Sequence, residues 1–220
     1  MNYGNPSIFK IMTSQFNQGC NKILIVPMYP QYSATTTASV VDNVNRVLKQ
    51  MRWQPTVRFC PPYFDDEIYI EALSSQIEKK IKKVKPDKVL ASFHGIPKKY
   101  FMKGDPYHCH CAKTVRLLNE KLRRTKIDVE LSFQSRFGPQ EWLRPYMSEK
   151  FEELIGNGHK NIMMIAPGFS VDCLETLEEI KMEGGEEFKE MGGKKFEYMN
   201  CLNDSKESII MLEKIVKREL

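Results

Sequence analysis

Short runs of branched apolar residues alternate along this chain with longer segments whose apolar positions recur every three or four residues. KILIVPMYPQ (22–31) is apolar from Ile23 to Val26 and then stopped by prolines, the pattern of a buried strand that delivers a loop at its end. In TTTASVVDNVNRVLKQM (35–51), Val40, Val41, Val44, Val47, Leu48 and Met51 keep a helical period. TVRFCPP (56–62) predicts a second strand, broken by Pro61-Pro62, and 66–84 predicts an amphipathic helix with Asp65 or Asp66 as its cap.

The alternation then repeats. DKVLASFHG (87–95) predicts a strand, 105–124 a helix opened by Asp-Pro, 128–135 a strand, 148–159 a helix closed by Gly156 and Gly158, and NIMMIAPGFS (161–170) a strand. Residues 172–193 read as a helix broken at Gly184-Gly185, and 205–220 as a terminal amphipathic helix. Strand and helix in this order predict an α/β fold, with parallel sheets flanked by helices and ligands at the carboxyl ends of strands.

Composition narrows the class without changing that picture. At 41% apolar and 28% charged the chain reads as an ordinary globular protein, and no apolar run nears the roughly 18 residues a membrane span needs. The start, MNYGNPSIFK, lacks the layout of a signal peptide, so a cytoplasmic location is expected, with free thiols rather than disulfides. Much of the net charge of +5 lies in KKIKKVKPDK (79–88), whose lysines surround Ile81 and Val84 at helical spacing. No aromatics interleave there, so a solvated helix face is expected and no nucleic-acid partner. No GxGxxG or P-loop pattern supports nucleotide binding.

Three strand-end loops carry reactive side chains: 27–37, 92–100 and 166–180. In a doubly wound sheet they would meet over one crevice. His94 follows an apolar strand and precedes Gly95 and Pro97; an imidazole there can take a proton near pH 7 or ligate a metal, although a structural role fits a histidine as well. From Asp172, the acids Asp172, Glu175 and Glu179 fall at i, i+3 and i+7 with Glu178 close by, a row along one face of an α-helix; acids favoured by a helix dipole are the plainer reading. The run His108-Cys109-His110-Cys111 looks like a metal site but lacks the spacing and the second pair that structural zinc sites use.

Four blocks in order over nearly the whole chain resemble the ferrochelatases: LIVPMYPQYSATTTAS (24–39), SFHGIPKKYFMKGDPY (92–107), FQSRFGPQEWLRPY (133–146) and PGFSVDCLETLEEI (167–180). The resemblance implies two Rossmann-like lobes and insertion of Fe2+, as substrate, into protoporphyrin IX to give protoheme with release of two protons. It implies His94 and Glu175 as the catalytic, iron-binding pair, Asp172, Glu178 and Glu179 as a proton or metal path, and Tyr29, Ser33, Trp142 and Phe169 as contacts to the porphyrin. The start matches a mid-domain segment of the family, so the N-terminal third is expected to be missing and the first lobe incomplete: residues 1–62 a remnant of that lobe, 63–200 the second lobe with the metal site, and 201–220 a helix packing back on the first. The competing reading is a non-catalytic porphyrin- or metal-binding remnant. No iron–sulfur cluster is expected; peripheral contact with the inner membrane and oligomeric state stay open.

Overall fold

The computed structural model of the protein describes residues 4–220. The first lobe holds α1 (Ile8–Asn17), β1 (Lys22–Ile25), α2 (Thr37–Leu48) and β2 (Thr56–Phe59), with β1 and β2 paired in parallel as a two-stranded sheet. Val40, Val44 and Val47 of α2 pack with Met12 of α1 against Ile23, Ile25, Val57 and Phe59, so the valine period of 35–51 marks the buried face. Helix α3 (Glu67–Val84) leads out of this lobe, and the Asp66 side chain caps it by accepting from the N–H of Ile68 at 2.9 Å.

The second lobe is a four-stranded parallel sheet in the order β4-β3-β5-β6, built from β3 (Lys88–His94), β4 (Val129–Gln134), β5 (Asn161–Ile165) and β6 (Lys195–Tyr198). Its central strands are buried on both faces. Val89, Ala91 and Phe93 of β3 join a core with α3 and with α5 (Tyr107–Leu122), while Leu90 between them points to the opposite core. That second core contains Phe151 of α6 (Met147–Gly156) and Phe188 of α7 (Gly184–Glu190). Two covered faces explain why these strands read as continuous apolar runs rather than as alternating ones. The α/β architecture with a reduced first sheet is the expected one.

The pattern of residues misses three elements, α1, β6 and the short α4 (Lys98–Met102), of which α4 and β6 span only five and four residues. The expected break at Gly184-Gly185 does not occur. The helix runs through both glycines into α7, and a Cβ on Gly184 would lie 3.1 Å from Met147 Cε and one on Gly185 3.2 Å from Phe196 Cδ1. These glycines give close approach, not a turn. Helix α8 (Lys206–Glu219) buries Met211 and Ile215 in the core that α3 shares, and Arg58 of β2 reaches its Glu219 at 3.4 Å.

The loop after β1 is tied across the seam between the lobes. Gln31 Nε2 donates to Thr114 Oγ1 at 3.0 Å, the N–H of Tyr32 to His110 Nδ1 at 3.2 Å, and the hydroxyl of Ser33 to Asp105 Oδ2 at 2.9 Å. The 108–111 run is thereby accounted for. It winds as the first turn of α5, where His110 stacks on Phe64 at 3.6 Å, His108 lies against Phe133 at 5.7 Å, Cys111 is buried and Cys109 is exposed. Among the described residues no helix is long and apolar enough to cross a membrane.

Candidate functional site

In the order β4-β3-β5-β6 the chain turns to one side of β3 to form β4 and to the other side to form β5 and β6. The crevice at the carboxyl ends of β3 and β5 is therefore a switch point, the usual ligand position in an open parallel sheet. A cleft of about 700 Å³ lies there, and His94, Glu175, Glu178 and Glu179 all line it.

His94 is the last residue of β3 and half-buried. Its Nδ1 lies 2.7 Å from the carbonyl of Gly95. A carbonyl only accepts, so Nδ1 carries the hydrogen and the neutral ring keeps its lone pair on Nε2. Gly95 stays close to β4, donating to the carbonyl of Gln134 at 2.7 Å, with Trp142 packed beneath. The imidazole thus stands on a pinned turn.

The opposite wall departs from an ordinary α-helix. Residues Glu175–Glu183 form a π-helix, whose i→i+5 bonding puts more than four residues in a turn and aligns positions four apart. Glu175, Glu179 and Glu183 consequently follow one another along the cleft, and Glu187 of α7 extends the row. Gln134, at the end of β4, braces this wall: its amide donates to Glu179 Oε2 at 3.2 Å and to the carbonyl of Glu175 at 3.3 Å, and accepts from Ser92 Oγ at 2.8 Å. Ser135, held at a φ of 59°, also donates to Glu179. The Cys173 thiol donates to Glu175 Oε2 at 2.9 Å. That bond holds the Glu175 carboxyl below the usual carboxylate range, with His94 acting in the same direction, while burial and Glu175 push the thiol up. At the far end, burial and then Glu152 and Glu190 push the Glu187 carboxyl up.

Asp172 does not join the row. The π-helix follows Leu174, and Asp172 precedes it with its carboxylate turned to the end of β6 and the loop after it, accepting from Tyr198 Oη at 2.8 Å, Asn203 Nδ2 at 2.6 Å and the N–H of Cys201 at 3.2 Å. Burial alone would raise its pKa; these donors outweigh burial and hold it below the usual value. The α-helical spacing i, i+3, i+7 thus fails for Asp172 because the winding is wider and begins later.

Tyr29, Ser33, Trp142 and Phe169 do not line this cleft. Ser33 is fully buried at the lobe seam, Tyr29 packs in the first-lobe core, and Phe169 packs against the core beneath α7. Trp142 lies under Gly95, and its Nε1 donates to the carbonyl of Phe137 at 2.9 Å. Nor does the loop 27–37 reach the cleft; it touches 166–170 where Ser170 Oγ donates to the carbonyl of Met28 at 2.9 Å. The apolar faces of the cleft come instead from Phe133, Phe137, Met147 and Leu174, of which Phe137 and Leu174 are 79% and 72% exposed. Residue type alone gives these no signal, because an exposed Phe or Leu is unremarkable until it flanks a cleft.

The whole chain, residues 1–220, matches the family model described as Ferrochelatase. It is 53% identical over 224 residues to a curated ferrochelatase of Francisella tularensis subsp. tularensis (strain WY96-3418), covering 100% of this chain and 67% of that protein. A ferrochelatase of Agrobacterium fabrum is 51% identical over 222 residues, with 100% and 64% covered. The chain thus spans about two thirds of the length of these relatives. Among solved structures, SirB from Bacillus subtilis with Fe3+ superposes with a TM-score of 0.69 at 16% identity, covering 98% of this chain and 78% of that one. CbiX, the terminal enzyme of siroheme biosynthesis in denitrifying bacteria, gives 0.63 at 12% identity over 96% and 81%. These two likenesses show the shared fold, and the family match with its close relatives shows more: the chain belongs to the ferrochelatase family.

Proposed function

We propose that the protein inserts Fe2+ into protoporphyrin IX, releasing two protons and forming protoheme, at the cleft between His94 and the π-helix. The observation that carries this reading is the placement of one imidazole, with its Nδ1 committed to the Gly95 carbonyl, in the same cleft as a row of carboxylates. Insertion needs a base for two pyrrole protons, oxygen or nitrogen ligands for a cation that must then leave, and apolar surface for a flat macrocycle.

Each need has a counterpart in the cleft. Nε2 of His94 and the Glu175 carboxylate are the pair that between them take up protons and hold the iron before transfer. Glu178 and Glu179 continue from Glu175 toward Glu183 and Glu187, giving protons or hydrated cations a carboxylate-lined exit. Phe137 and Leu174, exposed at the cleft, offer the macrocycle its apolar contact, with Trp142 supporting that wall through its bond to Phe137. Apolar contact of this kind can sustain roughly 1–5 kcal/mol of ring distortion, which exposes the pyrrole nitrogens.

Zinc insertion into a porphyrin, followed by fluorescence, tests the proposal. Turnover by the wild-type chain and its loss in His94→Ala are expected. Porphyrin binding without turnover in the wild type would instead favour a non-catalytic porphyrin-binding role.

A further inference from the structure

We infer that Cys173 is a positioning residue for Glu175, setting through its thiol how the carboxylate meets the incoming cation. The inference rests on the reading of Glu175 as a cation ligand. Its structural basis is the fixed backbone at Cys173. The N–H of Cys173 donates to Thr176 Oγ1 at 3.0 Å, and its carbonyl accepts from the N–H of Leu177 at 2.9 Å and of Thr176 at 3.1 Å. Thr176 is itself fully buried, so the anchor does not drift with solvent. With its backbone held at both polar groups, Cys173 delivers its Sγ to Glu175 Oε2 at 2.9 Å.

The chemical consequence follows from what a hydrogen-bonded carboxylate can still do. A protonated thiol has one hydrogen to give, and giving it to Oε2 occupies one of that oxygen's two lone-pair directions. Oε1 keeps both of its lone pairs for a cation, and the bond through Oε2 orients the carboxylate before the cation arrives. Without the thiol the side chain is free to turn on a half-exposed wall, and each cation capture must first order it. Cys173 thereby acts on cation capture through Glu175, with no bond of its own to the metal.

Three variants test this with steady-state zinc insertion into a porphyrin at varied Zn2+. Cys173→Ala removes the donor, Cys173→Ser keeps a donor but replaces the soft ligand, and His94→Ala reports on the site as a whole. The expected result is a rise in KM for the metal of roughly three- to tenfold in Cys173→Ala, the scale of one hydrogen bond, with kcat within about twofold. Cys173→Ser should return KM to within about twofold of wild type. Equal losses in Cys173→Ser and Cys173→Ala would overturn the inference and mark the thiol as a direct ligand. An unchanged KM in Cys173→Ala would overturn it as well. If His94→Ala retains full turnover, the site assignment beneath the inference fails instead.

Discussion

The side-chain amide of Gln134, at the last position of β4, donates to the carboxylate of Glu179 on the π-helix across 3.2 Å. The same amide bonds Ser92 of β3 and the Glu175 carbonyl, so one side chain couples the sheet to the acidic wall. Replacing Gln134 by Leu keeps a side chain of comparable size and removes all three bonds, leaving the buried Ser92 hydroxyl without its acceptor. A loss of about 1–3 kcal/mol in unfolding free energy is expected, measured by urea denaturation, together with slower zinc insertion as the acidic row loses its brace. Unaltered stability would show that Gln134 does not brace the wall.

Gly95 next to His94 has no room for a side chain. A Cβ there would lie 2.9 Å from the Gln134 carbonyl and 3.2 Å from Trp142 Cε3, and the carbonyl cannot retreat without breaking the 2.7 Å bond it accepts from the Gly95 N–H. Gly95→Ala is expected to cost about 1–3 kcal/mol and to displace the His94 anchor, lowering insertion. Gly156→Ala, at the end of α6 with nothing within 4 Å of its Cβ, is the matched control and should leave melting temperature unchanged or slightly raised.

Asp172 serves the fold and stands outside the cleft. Its carboxylate collects donors from Tyr198, Cys201 and Asn203, which fasten the loop after β6 to the entry of the π-helix. In Asp172→Asn one carboxylate oxygen becomes an amide that points donors at donors. Destabilisation of about 1.5–3 kcal/mol is expected, while zinc insertion per folded molecule stays close to wild type. A specific fall in insertion with stability intact would return Asp172 to the chemical site.

Acid should loosen the lobe seam before it reaches the carboxylates. Burial lowers the pKa of His108 and His110 from 6.5, with Asp65 and Asp105 opposing the shift at His110. Below about pH 6.5 the unfolded chain therefore binds more protons than the folded one, and stability falls with pH until the folded histidines titrate in turn. Protonation also removes the Nδ1 acceptor that His110 offers to the Tyr32 N–H. Urea midpoints at pH 7.5 and 5.5 should differ in wild type and converge in a His108→Phe, His110→Gln variant; equal midpoints in the wild type would refute the linkage.

The order of strands and helices apart from α1, α4 and β6, the buried faces of 35–51 and 66–84, and the Asp66 cap were legible in the residues, because hydrophobic period and capping are local properties. So was the place of His94, at the mouth of an apolar strand. The acidic wall was half legible: the carboxylates are a run of letters, but which of them align depends on winding. Only the packed structure selects the π-helix, with Met147 and Phe196 pressed against Gly184 and Gly185 and Gln134 reaching Glu179 from a strand forty-five positions earlier. Tertiary contact likewise turned Asp172 toward Asn203, buried Ser33 against Asp105, and brought Phe137 and Leu174 to the cleft. Sequence determined which segments could be strands or helices, since each segment carries its own period. Which side chains share a site was decided by contacts between segments far apart in the chain, which no local spacing encodes.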